Sequence, residues 1–304
     1  MSSSSRSPIA VLMVIGSCTS LQFGAAIATP LMAHFGPGLV TWLRLLFAGL
    51  LLLAVHRPRV RAWTRRQWFA VVVFGLTLAG MNGFFYASIA RIPLGIAVTI
   101  EFAGPLVLAA VLSRRPLDFV CVGAAGIAIA YLGLDGVSTG AGLDPLGILF
   151  ALIAAAFWAA YILAGKHVGE RVPGQGALPI GMLVGSFIVL PFGVGQLPAL
   201  AADPVKLLPL LGMAVLSSLV PYSLEFAAMQ RLTPRVFGVL LSLEPVIAGV
   251  AGFLLLGQGL TWPHVAAMLV VTAASAVSVL TQKPQPGRDT GTPEVSPERE
   301  TLPV

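Results

Sequence analysis

Apolar runs of roughly 17–22 residues recur along almost the whole chain, separated by short polar or proline-containing links. Each run matches the length a helix needs to cross about 30 Å of hydrocarbon. Ten are legible, at 8–28, 37–55, 68–89, 93–112, 118–134, 145–163, 177–195, 207–230, 234–255 and 261–280. Links as short as Arg91-Ile92 and Leu232-Thr233 predict tight antiparallel helix pairs, and Pro93, Pro145 and Pro234 suit a first helical turn. The pattern predicts an all-α membrane protein of ten transmembrane helices. Composition agrees: 57% of residues are hydrophobic and only 10% charged, a balance that no soluble fold of 304 residues solvates.

A second, longer pattern lies over the first. FFYASIARIPLGIAV at 84–98 returns 140 positions later as LEFAAMQRLTPRVFG at 224–238, which aligns Arg91 with Arg231 and Pro105 with Pro245. The ten spans divide into two sets of five, 8–134 and 145–280. Five is odd, so the second set enters the membrane from the opposite face and the repeat is inverted. Inverted repeats are the architecture of secondary transporters, with a site near the midplane between the halves and alternating access across it. In the same register Phe85 aligns with Glu225 and Glu101 with Leu241, so the scaffold is duplicated while the carboxylates are not. One asymmetric site is expected.

Charge sets the orientation. Of the 18 Lys and Arg residues, fifteen fall on one side of the ten-span topology: Arg6, the group Arg57, Arg59, Arg61, Arg65 and Arg66, then Arg114, Arg115, Lys166, Arg171, Arg231, Arg235, Lys283, Arg288 and Arg299. Only Arg91 and Lys206 fall on the other side, and Arg44 lies within a span. This positive-inside bias predicts a multi-pass membrane protein with both termini cytoplasmic. Arg91 outside and Arg231 inside agree with the inversion. The net charge of +6 is then a topology signal and a grip on the anionic lipid bilayer, with no nucleic-acid partner expected.

Other features narrow the chemistry by elimination. Gly123-Ala124-Ala125-Gly126 has neither a Walker lysine nor a preceding strand, so it reads as helix packing and no cofactor is expected. Cys18 and Cys121 sit in spans without metal-ligand spacing, and His34, His56, His167 and His264 lie in or beside loops. A nucleophile–base pair, which a membrane-embedded enzyme needs, is not evident within the spans. Ile15-Gly16-Ser17-Cys18 loosely resembles a lipoprotein cleavage box, but cleavage would leave nine spans and misplace the basic tail, so an uncleaved first helix is expected. Residues 281–304 carry Pro284, Pro286, Pro293, Pro297 and Pro303 without an aromatic and read as a disordered cytoplasmic tail.

Ionisable groups inside spans cost about 2.5–3.5 kcal/mol each on insertion scales, so those present need a reason. Arg44, Glu101, Glu225 and Glu244 qualify. Glu101 and Glu244 lie nearest the midplane, each beside a proline (Pro105, Pro245) that frees a helix carbonyl. Both read as sites for a substrate ammonium or a proton, or as hydrogen bonds between helices. Arg44 reads as an inter-helix clamp, an outward snorkeller, or a partner for a substrate carboxylate. Glu225 either pairs with Arg231, faces an inner vestibule, or joins the site. Asn82 and Tyr86 share one face of the third span, and Ser218, Tyr222 and Glu225 one face of its repeat mate, the eighth. Gln22, Trp158 and Tyr161 are further candidates for the same cavity, with plain packing the alternative for Trp158.

The ten-span chain, with Gly80-Met81-Asn82, Phe85-Tyr86, Pro93 to Val98, Glu101-Phe102, Gly104-Pro105-Leu106, Ser113-Arg114-Arg115-Pro116, Pro221 to Glu225 and Ser242 to Pro245, resembles the EamA-type branch of the drug/metabolite transporter superfamily over roughly residues 8–280. Within it, these stretches resemble the bacterial threonine/homoserine exporters. The resemblance implies efflux of threonine, homoserine and similar small amino acids in exchange for protons. The alternative is a drug or metabolite efflux permease of the same superfamily with different cargo. A zwitterion needs a carboxylate for its ammonium and an arginine or helix N-terminus for its carboxylate, and the spans hold both kinds.

Overall fold

A computed structural model describes residues 8–139 and 143–282, so the tail from Lys283 lies outside the described residues. Among these residues the chain is helical throughout, without strands. The helices are α1 (Pro8–His56), α2 (Arg65–Ile89), α3 (Leu94–Glu101), α4 (Ala103–Ser113), α5 (Pro116–Thr139), α6 (Pro145–Arg171), α7 (Ala177–Gly193), α8 (Leu197–Ala202), α9 (Leu207–Ala214), α10 (Val220–Met229), α11 (Pro234–Leu241), α12 (Glu244–Leu256) and α13 (Trp262–Thr281). With α3–α4, α7–α8 and α11–α12 each taken as one segment, and Pro204–Met229 as another, eight helical segments are long and apolar enough to cross a membrane.

The expected loop at 29–36 is absent, and α1 runs for 49 residues. The links around Thr29–Phe35 are apolar enough to stay helical, and only Gly36 leaves the helix, at φ 75° and ψ 158°. That backbone conformation belongs to glycine, and Pro37 then restarts a helical turn. A straight helix of this length would span about 74 Å, more than twice the hydrocarbon thickness. It is not straight. Arg44 donates to the Ser217 carbonyl at 3.0 Å, while a Cβ on Gly24 would lie 2.9 Å from the Ser217 nitrogen. Residues 24 and 44 would be about 30 Å apart along one helix axis, so the chain doubles back at Gly36.

Two other segments are broken within their length. α3 ends at Glu101 and α4 starts at Ala103, while α11 ends at Leu241 and α12 starts at Glu244. Pro105 and Pro245 cause both breaks, because each lacks the N–H that would bond four residues back, to Glu101 and to Leu241. Between α9 and α10, Val215–Leu219 forms a π turn just before Pro221.

Close helix contacts run through small residues. α3 crosses α12 where a Cβ on Gly95 would fall 2.6 Å from the Gly249 Cα, and α4 meets α6 where one on Gly104 would fall 2.0 Å from the Ala155 carbonyl oxygen. α11 instead packs on α1 and α13. One apolar core joins the second half of the first α1 arm, the end of α2, all of α3 and the facing part of α12. Toward the end carrying the arginine-rich links the core is divided. One cluster there comes from the second arm of α1 with α2, α6 and α7, and another from Ala10, Val14 and Cys18 with Ala228 and Leu232.

At the opposite end Arg91 bridges to Asp144 at 2.8 Å, and Asp144 also caps α6 by accepting from the Leu146 N–H. The Arg91 hydrogen bond, with that backbone N–H, holds the Asp144 carboxyl below the usual carboxylate range. A depressed carboxylate stabilises above its ordinary pKa and loses that contribution as pH falls through its lowered value, so this link persists at neutral pH and weakens only in acid.

The helix crossing yields the first prediction. Gly95→Leu forces α3 from α12 and is expected to lower stability by about 1–3 kcal/mol, seen as a lower melting temperature in detergent. Gly123→Leu, where a Cβ would meet nothing within 4 Å, serves as the control and is expected to melt like wild type.

Candidate functional site

The breaks described above meet around a single cavity of about 250 Å³. Arg44, Asn82, Tyr86, Glu101, Tyr222, Glu225 and Glu244 all line it, together with Gln22, Trp158 and Tyr161. Residues that are far apart in sequence and expensive to place in hydrocarbon are thus brought to one place.

Arg44 explains how one wall is built. Pro221 has no N–H to give to the Ser217 carbonyl, four residues earlier, and the π turn widens the backbone there. Arg44 Nη2 supplies the missing donor at 3.0 Å, and Nη1 donates to Asn82 Oδ1. The guanidinium also sits 5.1 Å from the Tyr86 ring centroid, a cation–π contact. Asn82 is oriented in turn by donating from Nδ2 to the Leu78 carbonyl at 2.8 Å. Arg44 is 8% exposed and makes no ion pair among the described residues, so it is an inward clamp joining three segments and not an outward snorkeller.

The carboxylates take up the rest. Glu101 is the last residue of α3 and Glu244 the first of α12, both buried. Glu101 lines the same cavity as Glu244 and Arg44. Negative partial charge at the C-terminal end of α3 adds to that of Glu101 and favours a cation there, whereas the α12 N-terminus supports the Glu244 carboxylate. Glu225 accepts a 2.6 Å hydrogen bond from Ser17 Oγ. It does not pair with Arg231, whose guanidinium reaches Met13 Sδ instead. Leu241, the repeat mate of Glu101, lines the same cavity, and Trp158 packs edge-on against Phe102 in the break between α3 and α4.

Two features differ from the expectation. Ser217, not Ser218, lines the cavity, because the π turn inserts an extra residue and shifts the face that a regular 3.6-residue period predicts. The second is Asp118, a fully buried carboxyl away from the cavity. It accepts from Ser278 Oγ at 2.8 Å and from Ser113 Oγ, tying the start of α5 to the end of α13. Its position in the first turn of α5, just after Pro116, was the available signal.

A set of long apolar helices surrounding a buried cavity of one guanidinium and three carboxylates defines a multi-span membrane carrier of a small polar solute. The model of the EamA-like transporter family matches residues 145–280. The chain is 40% identical over 283 residues to the threonine/homoserine exporter RhtA of Salmonella typhimurium, covering 92% of this chain and 93% of that protein. It is 40% identical over 278 residues to RhtA of Escherichia coli, covering 90% and 92%. The chain belongs to the EamA-like transporter family. A solved structure aligns with a TM-score of 0.55 at 17% identity over 88% of this chain and 96% of its own, a likeness of fold.

The clamp gives the second prediction. Arg44→Met leaves the Ser217 carbonyl and Asn82 Oδ1 without donors, at a cost of about 1–3 kcal/mol each. The variant is expected to melt several degrees lower in detergent, with Arg44→Lys recovering only part because an ammonium lacks the fork. Unchanged melting of Arg44→Met would refute the clamp.

Proposed function

We propose that this protein exports threonine, homoserine and related small amino acids across the bacterial inner membrane by proton-coupled alternating access. The observation that carries the reading is the cavity, where Arg44 offers charge for a carboxylate and Glu101, Glu225 and Glu244 offer charge for an ammonium. The 40% identity to exporters of these amino acids over nine-tenths of the chain selects the cargo. Three carboxylates against one guanidinium leave an excess of negative charge that a low-dielectric site resists, so a proton shared among them is the coupling ion.

In this reading the two arms of α1 are separate spans and α5 is a further one, so the chain has ten, grouped as repeats 8–134 and 145–280 with a cytoplasmic tail at 281–304. Support comes from the breaks in α3–α4 and α11–α12, which end at Glu101 and Leu241, 140 positions apart. Both termini are cytoplasmic by the loop charges.

The test is radiolabelled threonine flux in vesicles with an imposed pH gradient. Glu101→Gln and Glu244→Gln are each expected to reduce gradient-driven flux by roughly 10–100-fold at normal expression, the worth of a charge-assisted hydrogen bond. Unchanged flux in both variants would remove the proton and ammonium roles. Threonine flux that a large excess of homoserine fails to reduce would point to different cargo.

A further inference from the structure

Four buried side-chain polar atoms lack a hydrogen-bond partner among the described residues: Gln22 Oε1, Arg44 Nε, Ser217 Oγ and Thr272 Oγ1. The first three belong to residues lining the central cavity. A buried polar group without a partner costs about 1–3 kcal/mol, so three around one cavity mark where a ligand completes the bonding.

Their chemistry is not interchangeable. Arg44 Nε only donates and calls for an acceptor, which the cargo carboxylate supplies. Gln22 Oε1 only accepts, so it has no use for a carboxylate, and the cargo ammonium already has Glu101, Glu225 and Glu244. Ser217 Oγ both donates and accepts. A hydroxyl satisfies the remaining pair together, donating to Gln22 Oε1 while accepting from Ser217 Oγ. We propose that Gln22 and Ser217 form a subsite that reads a hydroxyl on the side chain of the transported amino acid. The proposal rests on the amino-acid export reading and adds what the site selects for.

The packing holds this subsite in place. Ser217 is 2% exposed, its carbonyl is held by Arg44, and Gly24 presses so close that a Cβ there would lie 2.1 Å from Ser217 Oγ. Gln22, also 2% exposed, is two residues before Gly24 on the same arm of α1. One partner is fixed while the other is a flexible carboxamide. That combination accommodates a hydroxyl on either Cβ or Cγ, as in threonine and homoserine, and leaves two orphaned groups when the cargo has none.

The experiment is counterflow in proteoliposomes of the full chain, with threonine and homoserine compared against valine and norvaline, which replace the hydroxyl by a methyl. Wild type is expected to favour threonine over valine and homoserine over norvaline. Gln22→Met and Ser217→Ala should each compress both ratios by roughly tenfold, one hydrogen bond's worth. Ligand-induced thermal shifts in detergent give the same ratios without requiring transport. Ratios unchanged in both variants, or an equal loss of all four cargos and of all thermal shifts, would overturn the subsite. A wild type that moves all four without preference overturns the subsite alone, whereas one that moves none overturns the amino-acid reading with it.

Discussion

A guanidinium in the apolar interior must find acceptors for its donors, and much of the site follows from how the protein supplies two of them to Arg44. Pro221 withdraws a backbone donor, the π turn exposes the Ser217 carbonyl, and Arg44 fills the gap while its other nitrogen holds Asn82. Three segments are thereby bound at one level of the bundle. Among the described residues the guanidinium makes no ion pair, which keeps its charge available to a solute. Structure and recognition draw on the same side chain.

Helix breaks act on the other wall in a related way. Pro105 and Pro245 end half-helices at Glu101 and Leu241, positions that the repeat makes equivalent. One carries a charge and the other a methyl-bearing side chain, so equivalent backbones present unlike chemistry to the same cavity. Glu244, just past the second break, restores a carboxylate but places it at a helix N-terminus instead of a C-terminus. The dipoles therefore treat the two acids differently. A duplicated scaffold with unduplicated side chains yields a cavity whose two halves differ in chemistry.

Much of this was legible in the sequence because hydrocarbon leaves few options. Long apolar runs must be helices, and charges within them must find partners, so Arg44, Glu101, Glu225 and Glu244 were conspicuous and they converge on one cavity. What escaped notice was local geometry that a fixed helical period does not capture. The π turn moved Ser217 into the place expected of Ser218. The apolar link before Gly36 stayed helical where a loop was expected, since a single residue at positive φ suffices to turn the chain. Asp118, the first residue of the fifth span, was not among the candidates, although Ser113 and Ser278 both donate to its carboxyl. Each miss reflects a backbone or tertiary partner that no residue pattern encodes.

The contact between Gly95 and Gly249 joins α3 to α12 on one side of the breaks, while beyond them α4 packs mainly on α5 and α6, and α11 on α1 and α13. Mechanically this is a pair of scissors whose rivet is two missing side chains. α4 has 11 residues and is about 16 Å long, so a swing of roughly 15° about its break carries its far tip some 4 Å. A water-sized gap opens or shuts over that distance without any helix being unwound. Trp158, which lines the cavity, rests against the joint at Phe102, so a change in that bend is felt at the cavity wall.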